Sequence, residues 1–372
     1  MERSGVTPHV GAETADVAEL ATGSGPFLSI YLTTEATVEN AAQRAEVRWR
    51  SVRDSLAADG APGELLDVVD PLVADAHLQG EGLGVVVRAD GAILVEHHPR
   101  APALDRSRWA PLPVLVPLLG WRQSTPPHVV VTADRKGADI VAVGREGPDV
   151  RREAGGDDYP IRKVSAGGWS QRRYEERAEN TWAQNAEDAA RQVAALAERV
   201  RARLIVVAGD VRAVTLLRDA LPAEFADRVR EAGGGRSADG SGDLLAAQVG
   251  ELVDQAVAAD TAALLEKFDE ERGQGDRAAD GVEATLRALA ASQVEVLLVH
   301  DDPDDDRPAC FGADPRVVAT NRADLASMGV DDPGEGPVVD VAVRAALATG
   351  AGIRIIPRDV APAEGLGAIL RW

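Results

Sequence analysis

The feature that most constrains this chain is an amphipathic helical stretch that runs straight into an apolar, β-branched strand. Trp182, Ala186, Ala189, Val193, Leu196 and Val200 recur at spacings of three or four, and LIVVAGD, residues 204–210, follows at once. The one apolar stripe has to face a sheet, so these residues read as core and not as a ligand box. Helix followed directly by strand predicts an α/β layer. HVVVTADRKGADIVAVGR, residues 128–145, places two strand-like runs about a turn at Gly137 ahead of that helix.

The same logic extends along the chain. Phe27 to Leu32 alternates as a strand, and Ala45, Trp49, Val52 and Leu56 form one face of a helix. LGVVVR and GAILVEHH are joined by Ala89-Asp90-Gly91, a strong hairpin signal. The prolines of WAPLPVLVPLLGW and of STPP predict an interruption of both strand and helix, with a domain boundary near residue 125. GGGRSADGSG, residues 233–242, reads as a flexible loop leading into helix as far as about Arg272. A helix at GVEATLRALAAS, strands at VEVLLV and IRIIP, helical VRAALATG and a terminal GLGAILRW follow. The expected fold is a mixed α/β (α+β) chain of three domains, 1–125, 126–272 and 273–372, the last a small α/β sandwich.

Charge narrows the function. Forty Lys and Arg stand against 61 Asp and Glu, a net charge of −21 and a sequence pI near 4.7. A general basic surface for DNA or RNA is excluded, because counterion release needs clustered cations, so any RNA contact must be local. A single cysteine, Cys310, excludes an internal disulfide and a cysteine-rich zinc module. The N-terminus lacks a signal-peptide pattern and no stretch approaches the roughly 20 apolar residues of a membrane span, so a cytoplasmic chain without membrane insertion is expected.

Several motifs read blandly. DDPDDD, residues 301–306, has aspartate where a calcium loop needs its glycine and Gly312 where it needs glutamate, and so reads as a solvated acidic loop. His97 and His98 are neighbours on a strand, face opposite sides, and read as surface histidines. The glycine-rich loop at 233–242 lacks the Gly-Lys-Ser/Thr ending of a nucleotide site, Cys310 has no histidine beside it, and no Gly-x-Ser-x-Gly elbow occurs. No metal and no cofactor are expected.

The informative segment is SAGGWSQRRYEERAEN, Ser165 to Asn180. Gly167 and Gly168 give backbone freedom, while Trp169, Ser170, Gln171, Arg172, Arg173 and Tyr174 gather stacking and hydrogen-bonding groups at a helix start. Arg162, Lys163, Arg172, Arg173 and Arg177 against Glu175 and Glu176 make a local balance of +3. Such a patch suits an irregular RNA end, with arginine on phosphate and a ring on a base. A glycine-rich helix cap with a solvated arginine face accounts for the same residues.

GGWSQRRY resembles the Gly-Gly-Gln-Ser-x-x-Arg-Phe loop of the archaeal and eukaryotic class I release factors, and its setting is similar: two strands, the loop, a long helix, a strand. Gly167, Gly168, Ser170, Arg173 and Tyr174 match, and Trp169 falls on the family's catalytic glutamine. GLGAILRW is similar to the family's closing strand, and DGVEATLRALAASQVEVLLV to the opening of its third domain. The whole chain looks like the bacterial branch of this family, whose relatives include Pelota, the Vms-type tRNA-releasing factors and Balon.

The resemblance implies a central RNase H-like domain carrying the loop to the peptidyl-transferase centre, with contacts to rRNA and the tRNA acceptor end. It also implies a third domain that contacts proteins, with elongation factor Tu as a further partner. Hibernation or rescue of ribosomes, peptidyl-tRNA hydrolysis with Gln171 standing in for the lost glutamine, and a non-ribosomal interaction scaffold are the three readings open at this point. Arg162, Lys163, Gly167, Gly168, Trp169, Ser170, Arg172, Arg173 and Tyr174 would make the ribosome contacts.

Overall fold

The N-terminal segment folds as its periodicities dictate: α1 (Ala15–Thr22), β1 (Phe27–Thr33), α2 (Ala41–Ala58), α3 (Gly63–Ala76), β2 (Gly82–Arg88), β3 (Ile93–His98), β4 (Arg106–Ala110) and α4 (Val116–Ser124). The computed structural model describes residues 14–35, 40–134, 137–144, 149–155, 168–234, 241–275, 277–360 and 362–372, with backbone alone over 168–182. The strands form an antiparallel sheet in the order β3-β2-β1-β4. Gly91, at φ 91°, makes the turn, and Asp90 accepts the Ala92 N–H at 3.1 Å. Ala45, Trp49 and Leu56 of α2 bury one face with Leu66, Val69 and Val73 of α3 and with Leu28, Ile30 and Leu32 of β1.

Two expectations need correction here. The proline-rich run was expected to break both helix and strand, yet α4 starts inside it. Pro117 sits at the second position of α4, where a backbone N–H would have no intrahelical acceptor, so its missing donor costs nothing. His98 is buried, not on the surface: its ring stacks on Trp121 at 5.0 Å and 11°, and burial pushes its pKa down. The alternation itself holds, since neighbouring His97 is only half-buried.

The central segment comprises β5 (His128–Ala133), β6 (Gly137–Val143), β7 (Val150–Gly155), α5 (Gly168–Val200), β8 (Leu204–Gly209), α6 (Val211–Ala220), β9 (Val229–Glu231) and α7 (Ser241–Gln274). Its sheet runs β7-β6-β5-β8-β9, parallel across β5, β8 and β9 and antiparallel at β6 and β7. Val129, Val131, Ile140, Ile205 and Val207 meet Ala189, Val193 and Leu196 of α5 and Leu217 of α6 on one face. Leu204 and Val206 meet Val253 of α7 on the other. Both faces are covered, which is why LIVV is apolar without alternation.

The C-terminal segment adds β10 (Ala278–Asp280), α8 (Val282–Ala290), β11 (Val294–His300), β12 (Pro308–Phe311), β13 (Val318–Ala319), α9 (Arg322–Ser327), β14 (Gly334–Pro337), α10 (Val338–Ala348), β15 (Gly352–Ile356) and β16 (Leu366–Leu370). These form a β10-β16-β11-β15 sheet and a small β13-β12-β14 sheet.

The chain divides into two compact units, Met1–Gln123 with Thr261–Trp372, and Ser124–Asp260. Within the first unit the two outer segments keep separate sheets but share one core, in which Phe27, Tyr31, Leu115 and Leu118 pack with Leu289, Leu297, Val299 and Leu347. Polar ties run the same way. Arg106 grips both oxygens of Asp301 at 2.8 and 3.2 Å, Arg108 donates to Asp340 at 2.8 Å, and the Gln123 amide bonds both backbone groups of Ile355.

Candidate functional site

The central sheet fixes where the glycine-rich segment enters. Strands β5 and β8 run parallel, and β8 ends at Gly209, whose φ is 127° and where a Cβ would lie 1.8 Å from the Ala133 carbonyl oxygen. Only glycine fits there. Asp210 follows as the cap of α6, accepting the N–H groups of Arg212 at 3.0 Å and Ala213 at 3.3 Å. Beside this corner Asn185, Ala189, Asp134 and Leu217 line a crevice of about 20 Å³, room for one water and not for a ligand.

Helix α5 joins β8 through residues 201–203, so it runs back along the strand and its N-terminus lies toward the carboxyl ends of β5 and β8. Its described buried side chains begin at Asn185. Gly168 stands 17 residues earlier, roughly 25 Å along the axis at 1.5 Å per residue. The described side chains that anchor α5 belong to its far half.

Among the site residues expected from sequence, Arg162, Lys163 and Gly167 lie outside the described residues. Gly168, Trp169, Ser170, Gln171, Arg172, Arg173 and Tyr174 are the first seven residues of α5, described by backbone alone. Helical backbone has a chemical consequence. The first four N–H groups of α5, Gly168 to Gln171, have no intrahelical acceptor, and the helix dipole places partial positive charge there.

The first unit holds a larger polar cleft of about 390 Å³, lined by Tyr31, Arg106, Arg108, Asp301 and Asp340 among others. Its two arginines are already paired, Arg106 with Asp301 and Arg108 with Asp340. Burial pushes the Asp340 carboxyl up to about 7 against the lowering pull of Arg108. These groups join the outer segments to each other and leave no free cation for a ligand. Burial raises the Cys310 thiol, consistent with an inert cysteine. Among the described residues no group of three His, Cys, Asp or Glu is arranged to hold a metal ion, and no helix is long and apolar enough to cross a membrane.

Sequence reading missed Gly209, Asp210 and Asn185, which together set the corner from which α5 departs. The Gly-Asp pair closing LIVVAGD was the available signal, a strand end followed by a helix cap.

Residues 127–274 match the model of Bacterial archaeo-eukaryotic release factor family 2. Two uncharacterized proteins of Mycobacterium tuberculosis, from strains CDC 1551 and H37Rv, are each 26% identical over 360 residues, covering 95% of this chain and 95% of their own. Among solved structures, Archaeoglobus fulgidus Pelota is 15% identical at a TM-score of 0.34, covering 96% of this chain and 91% of its own. S. cerevisiae Dom34, a translation termination-like factor, is 10% identical at a TM-score of 0.41, with 78% and 79% covered.

Proposed function

We propose, for a chain whose residues 127–274 match the model of Bacterial archaeo-eukaryotic release factor family 2, that it is a ribosome-associated factor that occupies the peptidyl-transferase centre without hydrolysing peptidyl-tRNA. The observation that carries this reading is the helical start of α5 at Gly168, with Trp169 where the family's glutamine falls. The free amides of the first turn supply an anion-binding end for RNA phosphate or the 3′ end of tRNA, and the indole supplies a stacking surface. What is kept is binding. What is lost is the glutamine side chain of the family's loop, replaced by the bulk of the Trp169 indole.

A factor of this kind suits an idle or stalled ribosome, which it holds or marks; elongation factor Tu is its proposed companion on the protein-binding side. The test is cosedimentation of the purified chain with ribosomes, run beside a peptidyl-tRNA release assay. Wild-type protein should pellet with ribosomes and release no peptide above background. Release that disappears in Gln171→Ala would make the protein a hydrolase and overturn the reading.

A further inference from the structure

Once its internal ion pairs are set aside, the polar cleft of the outer unit keeps negative charge that nothing in the chain answers. The cleft, about 390 Å³, is bounded by β1 and β4 of the N-terminal segment, the loop after β11 and the first turn of α10. That size lies within the range of about 300 to 1,000 Å³ of small-ligand sites. Six aspartates and two arginines line it.

Three of the aspartates are fully engaged. Asp301 gives both oxygens to Arg106 at 2.8 and 3.2 Å, and Asp305 gives both to Arg307 at 2.7 and 2.6 Å. Asp105 accepts the backbone N–H and the hydroxyl of Thr33, each at 2.8 Å, and pairs with Arg48 at 2.9 Å. Asp340 is different. It is 5% exposed, and its Oδ2 accepts Arg108 Nη1 at 2.8 Å, whereas its Oδ1 accepts no hydrogen bond from the described residues. The buried Tyr31 hydroxyl, which also lines the cleft, is spent on the Val114 carbonyl at 2.6 Å. A carboxylate oxygen buried without a donor carries an uncompensated desolvation cost, so Oδ1 calls for a donor that enters from the cleft.

The solvent side repeats the imbalance. Asp302 is half-buried and Asp304 exposed, and neither forms an ion pair among the described residues; Asp302 Oδ1 accepts the Asp304 backbone N–H at 3.1 Å. Leu104, Val114 and Val339 supply apolar wall to the same cleft. The arrangement is therefore acidic at its buried end and at its mouth, with hydrocarbon between.

We propose that this cleft binds a linear aliphatic diamine or polyamine, one ammonium donating to Asp340 Oδ1, the alkyl chain lying against Leu104, Val114 and Val339, and a second ammonium meeting Asp302 and Asp304 at the mouth. An ammonium is a compact head with three donors, and a carboxylate has acceptor sites enough to serve it and Arg108 together. An anion is disfavoured because both arginines are taken. A hard metal ion needs several converging oxygens, and among the described residues no group of three His, Cys, Asp or Glu is arranged to hold one. The site lies in the outer unit and stands apart from the ribosomal reading.

The test is calorimetric titration of the full chain with 1,4-diaminobutane at low salt, beside n-butylamine, with thermal melting to confirm that each variant folds. Burial holds the Asp340 carboxyl up to about 7, and a bound ammonium favours its ionised form. The diamine should therefore displace a proton and bind more tightly at about pH 8 than at about pH 6. Arg106 and Arg108 of β4, Asp301 after β11 and Tyr31 of β1 face the same carboxyl, and the ordinary pKa values of these residue types lie outside that window. Asp340→Asn should weaken the diamine about tenfold and abolish the pH dependence. Asp302→Asn/Asp304→Asn, at the mouth, should weaken it about threefold and leave the pH dependence in place. n-Butylamine, with a single ammonium, should bind wild type more weakly and be indifferent to the two mouth substitutions. No binding of the diamine, or equal affinity in wild type and the mouth variant, would overturn the proposal, as would n-butylamine binding as tightly as the diamine.

Discussion

The two compact units differ most in charge. Residues 124–260 carry 19 Lys and Arg against 23 Asp and Glu, whereas the rest of the chain carries 21 against 38. The overall −21 is therefore mostly a property of the outer segments, and the central unit is close to neutral. Charge confined within a screening length of about 8 to 10 Å lets a near-neutral unit approach RNA although it belongs to an acidic protein. Net charge, read over the whole chain, hides which part meets a polyanion. The units differ also in how they are held together: the outer one ties two sheets by a shared core and partly buried ion pairs, the central one wraps a single sheet by helices on both faces.

The contrast can be broken from either side. The largest effect is expected from core cavities: Leu297→Ala should destabilise the outer unit by about 2 to 5 kcal/mol, and Ile205→Ala the central one by a similar amount. Denaturation followed by hydrogen exchange should show each loss confined to its own unit, and a loss spread equally over both would dissolve the distinction. Gly209→Ala, forced into a backbone at φ 127° against the Ala133 carbonyl, should cost the central unit about 1 to 3 kcal/mol from strain alone, read as a lowered midpoint in urea.

A titration sharpens the comparison further. Asp340 is 5% exposed and burial raises its carboxyl to about 7, so between the ordinary carboxylate range and pH 7 the folded outer unit holds a proton that the unfolded chain has released. Stability of that unit should fall as pH rises through this window, by at most about 1.4 kcal/mol per pH unit. Asp340→Asn should flatten the profile. An unchanged profile in that variant would move the titration to another group. Smallest in magnitude, Trp169→Ala should weaken ribosome binding by roughly 1 to 3 kcal/mol while leaving the stability of both units untouched, the scale of a lost stacking contact. Unchanged occupancy would leave the indole without a role in binding.

Much of this architecture is legible in the sequence, and the exceptions have physical reasons. The α5 stripe, the LIVV run, the Asp90-Gly91 hairpin and the closing GLGAIL strand are local signals, and each forms its expected element. Pro117 misled because proline is disfavoured inside a helix but harmless in its first turn. His98 misled because its burial depends on Trp121, more than 20 residues away. The shared core of the outer segments and the ion pairs Arg106–Asp301 and Arg108–Asp340 join residues some 200 positions apart, beyond the reach of periodicity. For the candidate site, residue types and spacing located the helix start, which the backbone places at Gly168.

The measurement closest to the centre of this account is a cryo-EM map of the purified protein on native ribosomes. Density for Gly168 to Tyr174 at the peptidyl-transferase centre, beside an intact ester or an empty acceptor site, is the result the account predicts. A ribosome-bound factor whose α5 start faces solvent, far from rRNA, would contradict it.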